Sequence, residues 1–158
     1  MAGRIEARLA ELGIVLPEAG APKAAKILTA RIAGDWMYVS GAVPKLDGEL
    51  RYVGKVGREF SLREGQAAAR LSALNMLAHA RKALDGDLDR VRDIVNVRGF
   101  INIDPDFTEI AETLNGASEV LIEIFGDRGR HARTAVGVSG MPFGVAIEVE
   151  AQMRIELA

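Results

Sequence analysis

Apolar and polar positions alternate along Val145–Leu157. Val145, Ile147, Val149, Ala151, Met153, Ile155 and Leu157 share one parity, and Glu148, Glu150, Gln152, Arg154 and Glu156 share the other. Strand side chains project to opposite faces at period two, so this stretch reads as a half-buried strand with one polar face. His131–Val138 reads as the strand before it, led by Arg133. Gly140-Met141-Pro142-Phe143-Gly144 reads as a tight connection that makes the pair a hairpin. On that reading Arg133, at the mouth of one strand, and Glu148, at the start of its neighbour, form a small polar site.

Helical spacing of Ile5, Leu9 and Leu12 predicts a short amphipathic helix over Arg4–Leu12, stopped by Gly13 and packed on the outside. Pro17–Pro22 has the composition of a linker. Lys26–Ile32 and Trp36–Ser40 read as strands around a turn at Ala33-Gly34-Asp35. Gly41 ends the second of them, and Asp47-Gly48 marks a further turn. Val53–Phe60 carries the chain back. Ser61 and Glu64 have capping-box spacing and open a long helix to about Leu84, with Ala67, Leu71, Leu74 and Ala78 as its apolar stripe and Leu77 beside it. Ile94–Ile103 alternates as a strand. Asp104-Pro105-Asp106 then starts a second long helix running to about Phe125, with Ile110, Leu114, Ala117 and Leu121 inward and Gly116 as a mild helix defect. The order β-β-(β)-α-β-α-β-β gives an α+β domain whose two long helices cover one face of a sheet. The uncovered face carries Ala146 and Gln152 among its acids and is suited to other copies of the chain, which favours a homo-oligomer.

Composition narrows the function classes. At 158 residues the chain fits one domain with a real core, and its net charge of -2 speaks against a nucleic-acid binder working by bulk electrostatics. The absence of cysteine removes disulfides, thiol catalysis and thiolate metal sites, and two histidines, His79 and His131, leave little for a metal. Aromatic residues make up 5% of the chain, too few for base-stacking platforms. No apolar run approaches the ~20 residues of a membrane span. The N-terminus lacks the pattern of a signal peptide, so a cytoplasmic protein is expected.

Three segments together resemble the RidA/YjgF family. Ala132-Arg133-Thr134-Ala135-Val136-Gly137-Val138, Met141-Pro142 and Val145–Ala151 are similar to its C-terminal signature, and Tyr38-Val39-Ser40-Gly41-Ala42-Val43-Pro44 is similar to its second-strand motif. Asn115 falls where members often carry asparagine. The resemblance covers the chain from about Ala30 onward. The N-terminal helix, an extension over about residues 1–20 of a single 1–158 domain, and the segment after Pro44 look like the additions of a longer subgroup. The resemblance implies a chorismate-mutase-like fold, with a six-stranded mixed sheet and two helices on one face, assembled as a homotrimer with clefts between subunits. It implies a hydrolase acting at C=N, which converts reactive enamines and imines to ketoacids plus ammonia without metal or organic cofactor.

By the same resemblance, Arg133 holds the substrate carboxylate and Glu148 positions or activates the attacking water. The backbones of Gly41 and Ala135 border the ligand, and Ser40 and Asn115 support them. Lys26-Ile27 stands where many family deaminases have a tyrosine, and Ala135 where many have a cysteine. The alternatives are a non-catalytic small-carboxylate-binding or regulatory trimer and, behind it, an endoribonuclease. Read without the family, Arg133 is a strand ion-pair partner and Glu148 shares a solvated face with Glu150 and Glu156. His131 is then an exposed loop residue, His79 a helix-surface residue and Gly41 a turn, while Trp36 and Phe143 pack.

Overall fold

The computed structural model describes residues 3–23 and 25–157; Met1, Ala2, Ala24 and Ala158, and with Met1 and Ala2 the first residues of the expected extension, lie outside the described residues. In chain order come helix α1 (Arg4–Glu11), strands β1 (Ala30–Ala33), β2 (Trp36–Ala42), β3 (Lys45–Leu46) and β4 (Glu49–Leu50), helix α2 (Leu62–Ala83), strand β5 (Val91–Asn102), helix α3 (Ile110–Phe125), and strands β6 (Ala132–Val138) and β7 (Ile147–Ile155). The main sheet has five strands in the order β1-β2-β7-β5-β6, and β3 pairs with β4 in a separate ribbon. The expected six strands are therefore corrected to five plus the ribbon. Val53–Phe60 contributes isolated bridges only, because Tyr52, Gly54 and Gly57 take positive φ and break the extended run.

The final two strands are not a hairpin. β6 runs parallel to β5, whereas β7 runs antiparallel to both β5 and β2 and lies between them. β5, α3 and β6 form a crossover unit that delivers β6 to the sheet's edge. The chain then passes the end of β5 through a turn at Pro142–Gly144, where Phe143 and Gly144 hold φ of 59° and 68°. Only a connection longer than a tight hairpin loop can step over an intervening strand.

α2 packs over β2 and β7, and α3 over β5 and β6, so both cover one face. Ser61 caps α2 in both directions: its hydroxyl accepts from Glu64 N at 3.2 Å and its N–H donates to Glu64 Oε2 at 2.8 Å. These bonds, first from the Ser61 backbone and then from its hydroxyl, hold the Glu64 carboxyl below its usual range. The buried face of α2 is rotated from the expected stripe. Ala68, Ala69, Ala73, Met76, Leu77 and Ala80 are inaccessible, whereas Ala67 is exposed and Leu71 and Leu74 are half-buried. Ala78 of that stripe and Leu77 beside it are buried as expected, and the alanines let the helix lie close on the sheet. α3 begins at Ile110 rather than at Asp104, because the 104–109 stretch is spent in turns in which Phe107 N bonds Asp104 O and Ile110 N bonds Thr108 O. Two irregularities in β5, between Val91 and Asp93 and between Ile94 and Asn96, put Val91, Ile94, Val97 and Ile101 on the helix face together. Each fully buried leucine, isoleucine or methionine of this core contributes about 2 kcal/mol.

α1 docks by its N-terminal end and one face. Asp89 accepts from Arg4 N at 2.6 Å and Ile5 N at 2.8 Å, satisfying two free N–H groups of the helix start, while Ile5 and Leu9 are buried.

Gly116 reverses its sequence-based reading. A Cβ there would collide with the Gln66 carbonyl of α2, so the α2–α3 crossing depends on its absence. Helix propensity alone makes Gly116→Ala stabilising by ~1 kcal/mol. The collision with backbone makes it destabilising instead, by about 2 kcal/mol, or about 6 °C in Tm for a chain of this length. A thermal melt showing a rise would refute the close-crossing argument.

Candidate functional site

β6 is an edge strand, and its alternation turns Arg133, Ala135 and Gly137 toward α3. Small residues make this approach possible: a Cβ at Gly137 would meet Ile103 and Ile110, and Ala135 already packs on the core. Arg133 is then the one long side chain of the row, and it runs along α3 over about two turns. Its Nη1 donates to Asn115 Oδ1 at 2.8 Å and Ser118 Oγ at 3.2 Å, and its Nη2 donates to Ala111 O at 3.1 Å. Every one of these acceptors is neutral. Among the described residues no carboxylate pairs with Arg133, although Arg8, Arg51, Arg58, Arg70, Arg81, Arg92, Arg98, Arg130 and Arg154 all have one. The Nε–H and the second Nη2–H have no protein acceptor among those residues. A half-buried cation held in place by neutral groups, with N–H groups to spare, is suited to a planar anion such as a carboxylate.

Glu148 lies elsewhere. It is on β7, two strands away from β6, in register with Phe100 of β5 and through it with Val136 of β6. Its side chain points to the face that no helix covers, beside Glu150 and Gln152. The polar site expected between Arg133 and Glu148 of one chain does not form: β5 separates their strands and the two side chains occupy opposite faces. What Glu148 does meet is Gly41. β2 bulges between Val39 and Ala42 against β7, so Ser40 and Gly41 together span the gap. A Cβ at Gly41 would run into the Glu148 carboxylate, so the absence of a side chain gives Glu148 its place. Gly41 does not end β2, which continues to Ala42.

Burial raises the Glu148 carboxyl above its ordinary range, and the neighbouring Glu150 adds to the rise. Glu150 is paired with Arg98 across β5 and β7, while no hydrogen bond or ion pair among the described residues reaches the Glu148 carboxylate. Such a carboxyl holds its proton to higher pH than an exposed glutamate does. Around it the open face carries Tyr38 and Val136, 46% and 40% exposed, with Trp36 and Phe100 half-buried. Exposed aromatic and aliphatic groups interleaved with charge on an uncovered sheet suit contact with another protein surface.

The six residues singled out from sequence thus form two groups. Arg133, Asn115 and Ala135 gather where β6 meets α3, and Glu148, Gly41 and Ser40 gather on the open face. Ser40 Oγ donates to Leu28 O at 2.7 Å and its N–H to Thr29 O at 2.9 Å, so its visible contacts pin the segment before β1. Sequence reasoning missed Ser118 and misplaced His131, which is half-buried with both ring nitrogens engaged rather than exposed. The signal for Ser118 was helical spacing: it follows Asn115 by three and Ala111 by seven, on one stripe of α3. His79 is half-buried, and burial, then Lys82 and Lys45, lowers its pKa.

Among the described residues no helix is long and apolar enough to cross a membrane. Residues 6–150 match the family model described as "YjgF/chorismate_mutase-like, putative endoribonuclease". Protein TCP17 of Trypanosoma cruzi is 44% identical over 97% of this chain and 95% of its own length. The solved structure of Atu1372 from Agrobacterium tumefaciens is 39% identical, superposes with a TM-score of 0.89 and is matched over 97% of this chain and 94% of that one. The crystal structure of "a putative endoribonuclease" from Shewanella oneidensis is 34% identical, with a TM-score of 0.92 over 97% of this chain and all of that one. The family model spans most of the chain, and the five-stranded mixed sheet lies under two long helices: the chain belongs to the RidA/YjgF family and has its chorismate-mutase-like α+β fold.

Proposed function

We propose that this protein hydrolyses small carboxylate-bearing imines and enamines to ketoacids and ammonia, in clefts between the subunits of a homotrimer. The observation that carries the reading is Arg133: a cation fixed by neutral acceptors on an edge strand, with N–H groups left for a ligand carboxylate. In the reaction, water adds through oxygen to the imine carbon, the nitrogen takes up protons, and the C–N bond breaks as the carbonyl forms. Glu148 accepts the proton from the attacking water and returns one to the leaving nitrogen. Burial, with Glu150 beside it, raises its pKa, which makes the carboxylate a stronger base than an exposed glutamate. Arg133 and Glu148 of one chain face opposite sides, so the reading takes them from two copies. The uncovered sheet face and the unpaired edge of β6 are the surfaces available for that assembly.

A second reading keeps the carboxylate site without turnover. It is favoured by Lys26-Ile27, in the region where many deaminases that the chain resembles carry a tyrosine; both side chains are exposed here. RNA cleavage, the activity in the family model's description, has less support from a chain of net charge -2 with one tryptophan.

The test supplies imines generated in situ by an amino-acid oxidase and follows ketoacid release, with wild type and Arg133→Ala in parallel. Acceleration lost in the variant is the expected result. Carboxylate binding without acceleration of any imine would hand the site to the second reading. Sedimentation equilibrium giving any mass other than three chains would overturn the trimer.

A further inference from the structure

The polar contacts of Arg133 continue beyond α3. Ser118 Oγ, which accepts from Arg133 Nη1, lies 2.9 Å from His131 Nε2, and His131 Nδ1 lies 2.6 Å from Gly129 O. A carbonyl oxygen only accepts, so the hydrogen bond to Gly129 places the ring proton on Nδ1. Nε2 of the neutral ring is then an acceptor, and the Ser118 hydroxyl must be its donor. With its hydrogen committed to His131, Ser118 turns its lone pairs toward the guanidinium. The bonds run one way, from Arg133 through Ser118 and His131 to the Gly129 carbonyl.

We infer that His131 is a positioning residue for the carboxylate site: through Ser118 it fixes the Arg133 guanidinium in the orientation that presents Nε–H and Nη2–H to the ligand. The inference rests on the reading of Arg133 as that site.

The far end of the relay is anchored by packing. A Cβ at Gly129 would strike the Leu121 carbonyl, so the chain after α3 lies directly against the helix and its carbonyl is fixed there. Burial lowers the imidazole pKa, the Gly129 bond opposes this, and Arg133 adds to the lowering, which favours the neutral ring. A relay matters at this position because an arginine has several rotatable bonds, and ordering a loose one on binding costs affinity. Three acceptors aligned along α3 spend that entropy at folding instead. Removing the hydroxyl's acceptor frees Ser118 to rotate its hydrogen toward Nη1, where it repels the guanidinium.

Pyruvate, a 2-oxo acid of the proposed product class, is the probe. Its Kd is measured by calorimetry on the full chain as wild type, Arg133→Ala, His131→Leu, His131→Gln and Ser118→Ala, with a thermal melt of each. His131→Leu and Ser118→Ala should each weaken binding about tenfold, while His131→Gln, whose amide oxygen can accept from Ser118, should stay within about twofold. In the imine assay the same variants should raise KM by a similar factor at unchanged kcat. Equal losses in His131→Leu and His131→Gln would mean that the ring's packing matters and not its acceptor nitrogen, which overturns the inference. So would wild-type affinity in Ser118→Ala, the variant that cuts the relay without touching the ring and decides the matter if a His131 variant does not fold. If wild type fails to bind pyruvate, or Arg133→Ala binds it as wild type does, the site reading itself falls; if only Arg133→Ala loses binding, the positioning role alone falls.

Discussion

Arg133→Ala is expected to weaken binding of a small carboxylate about 100-fold and to lower kcat/KM for imines by at least the same factor, because a charge-assisted pair in a half-buried site is lost with nothing to replace it. Calorimetry and the imine assay on one preparation check both numbers. Arg133→Lys should recover only a small part, since an ammonium cannot offer the paired N–H geometry and cannot reach Asn115, Ser118 and Ala111 together. Folding should be little affected: Arg133 sits on an edge strand and holds no protein carboxylate among the described residues. The same variant tests whether the site is shared. Arg133→Ala and Glu148→Gln chains, refolded together at equal amounts, give a ring in which about one cleft in four joins an intact arginine to an intact glutamate from the next copy, by random assortment. Recovery of about that fraction of wild-type turnover from two inactive variants is expected. No recovery would show that the two groups do not act across an interface.

Glu148→Gln is expected to lower kcat about 100-fold with little change in KM, the loss that removing a general acid–base group produces. It should also make the protein more stable at pH 7. The folded-state pKa of Glu148 is raised, so the native chain favours the protonated carboxyl. The favourable contribution is present in full below the ordinary glutamate pKa and is lost as pH rises through the raised value. Glutamine is a permanent copy of the protonated form. The variant should therefore melt about 2 °C above wild type at neutral pH, a modest gain because the carboxyl is only half-buried, and the two should converge as pH falls through the raised pKa. Wild-type kcat/KM should fall across that same interval as the base is protonated. A structural glutamate would behave in the opposite way, with a lower Tm and unchanged turnover, and that pair of results would remove Glu148 from the mechanism.

Much of the local structure was legible in the residues. The alternation over Val145–Leu157 made β7 and assigned its faces correctly, Ser61 and Glu64 capped α2 as their spacing required, and Gly34-Asp35 closed the β1–β2 turn. Asn115 and Arg133, which the family motif places far apart in the chain, do meet. Each of these follows from short-range rules, in which a few adjacent side chains decide the outcome.

Period two says that a strand has two faces. It does not say which strand lies beside it. β6 and β7 follow one another in the chain, yet the crossover through α3 pairs β6 with β5, and β7 fills the gap between β5 and β2. That choice separated Arg133 from Glu148 and turned one toward the helices and the other to the open face. The roles of Gly116 and Gly41 were equally hidden, because each glycine is required by atoms distant in sequence, the Gln66 carbonyl and the Glu148 carboxylate. Local pattern alone told which stretches alternate, where α2 is capped and which family the chain resembles. The tertiary structure alone decided which polar groups share a site, because strand partners and helix crossings are set by non-local packing, where many alternatives satisfy the same local pattern and only one closes the core.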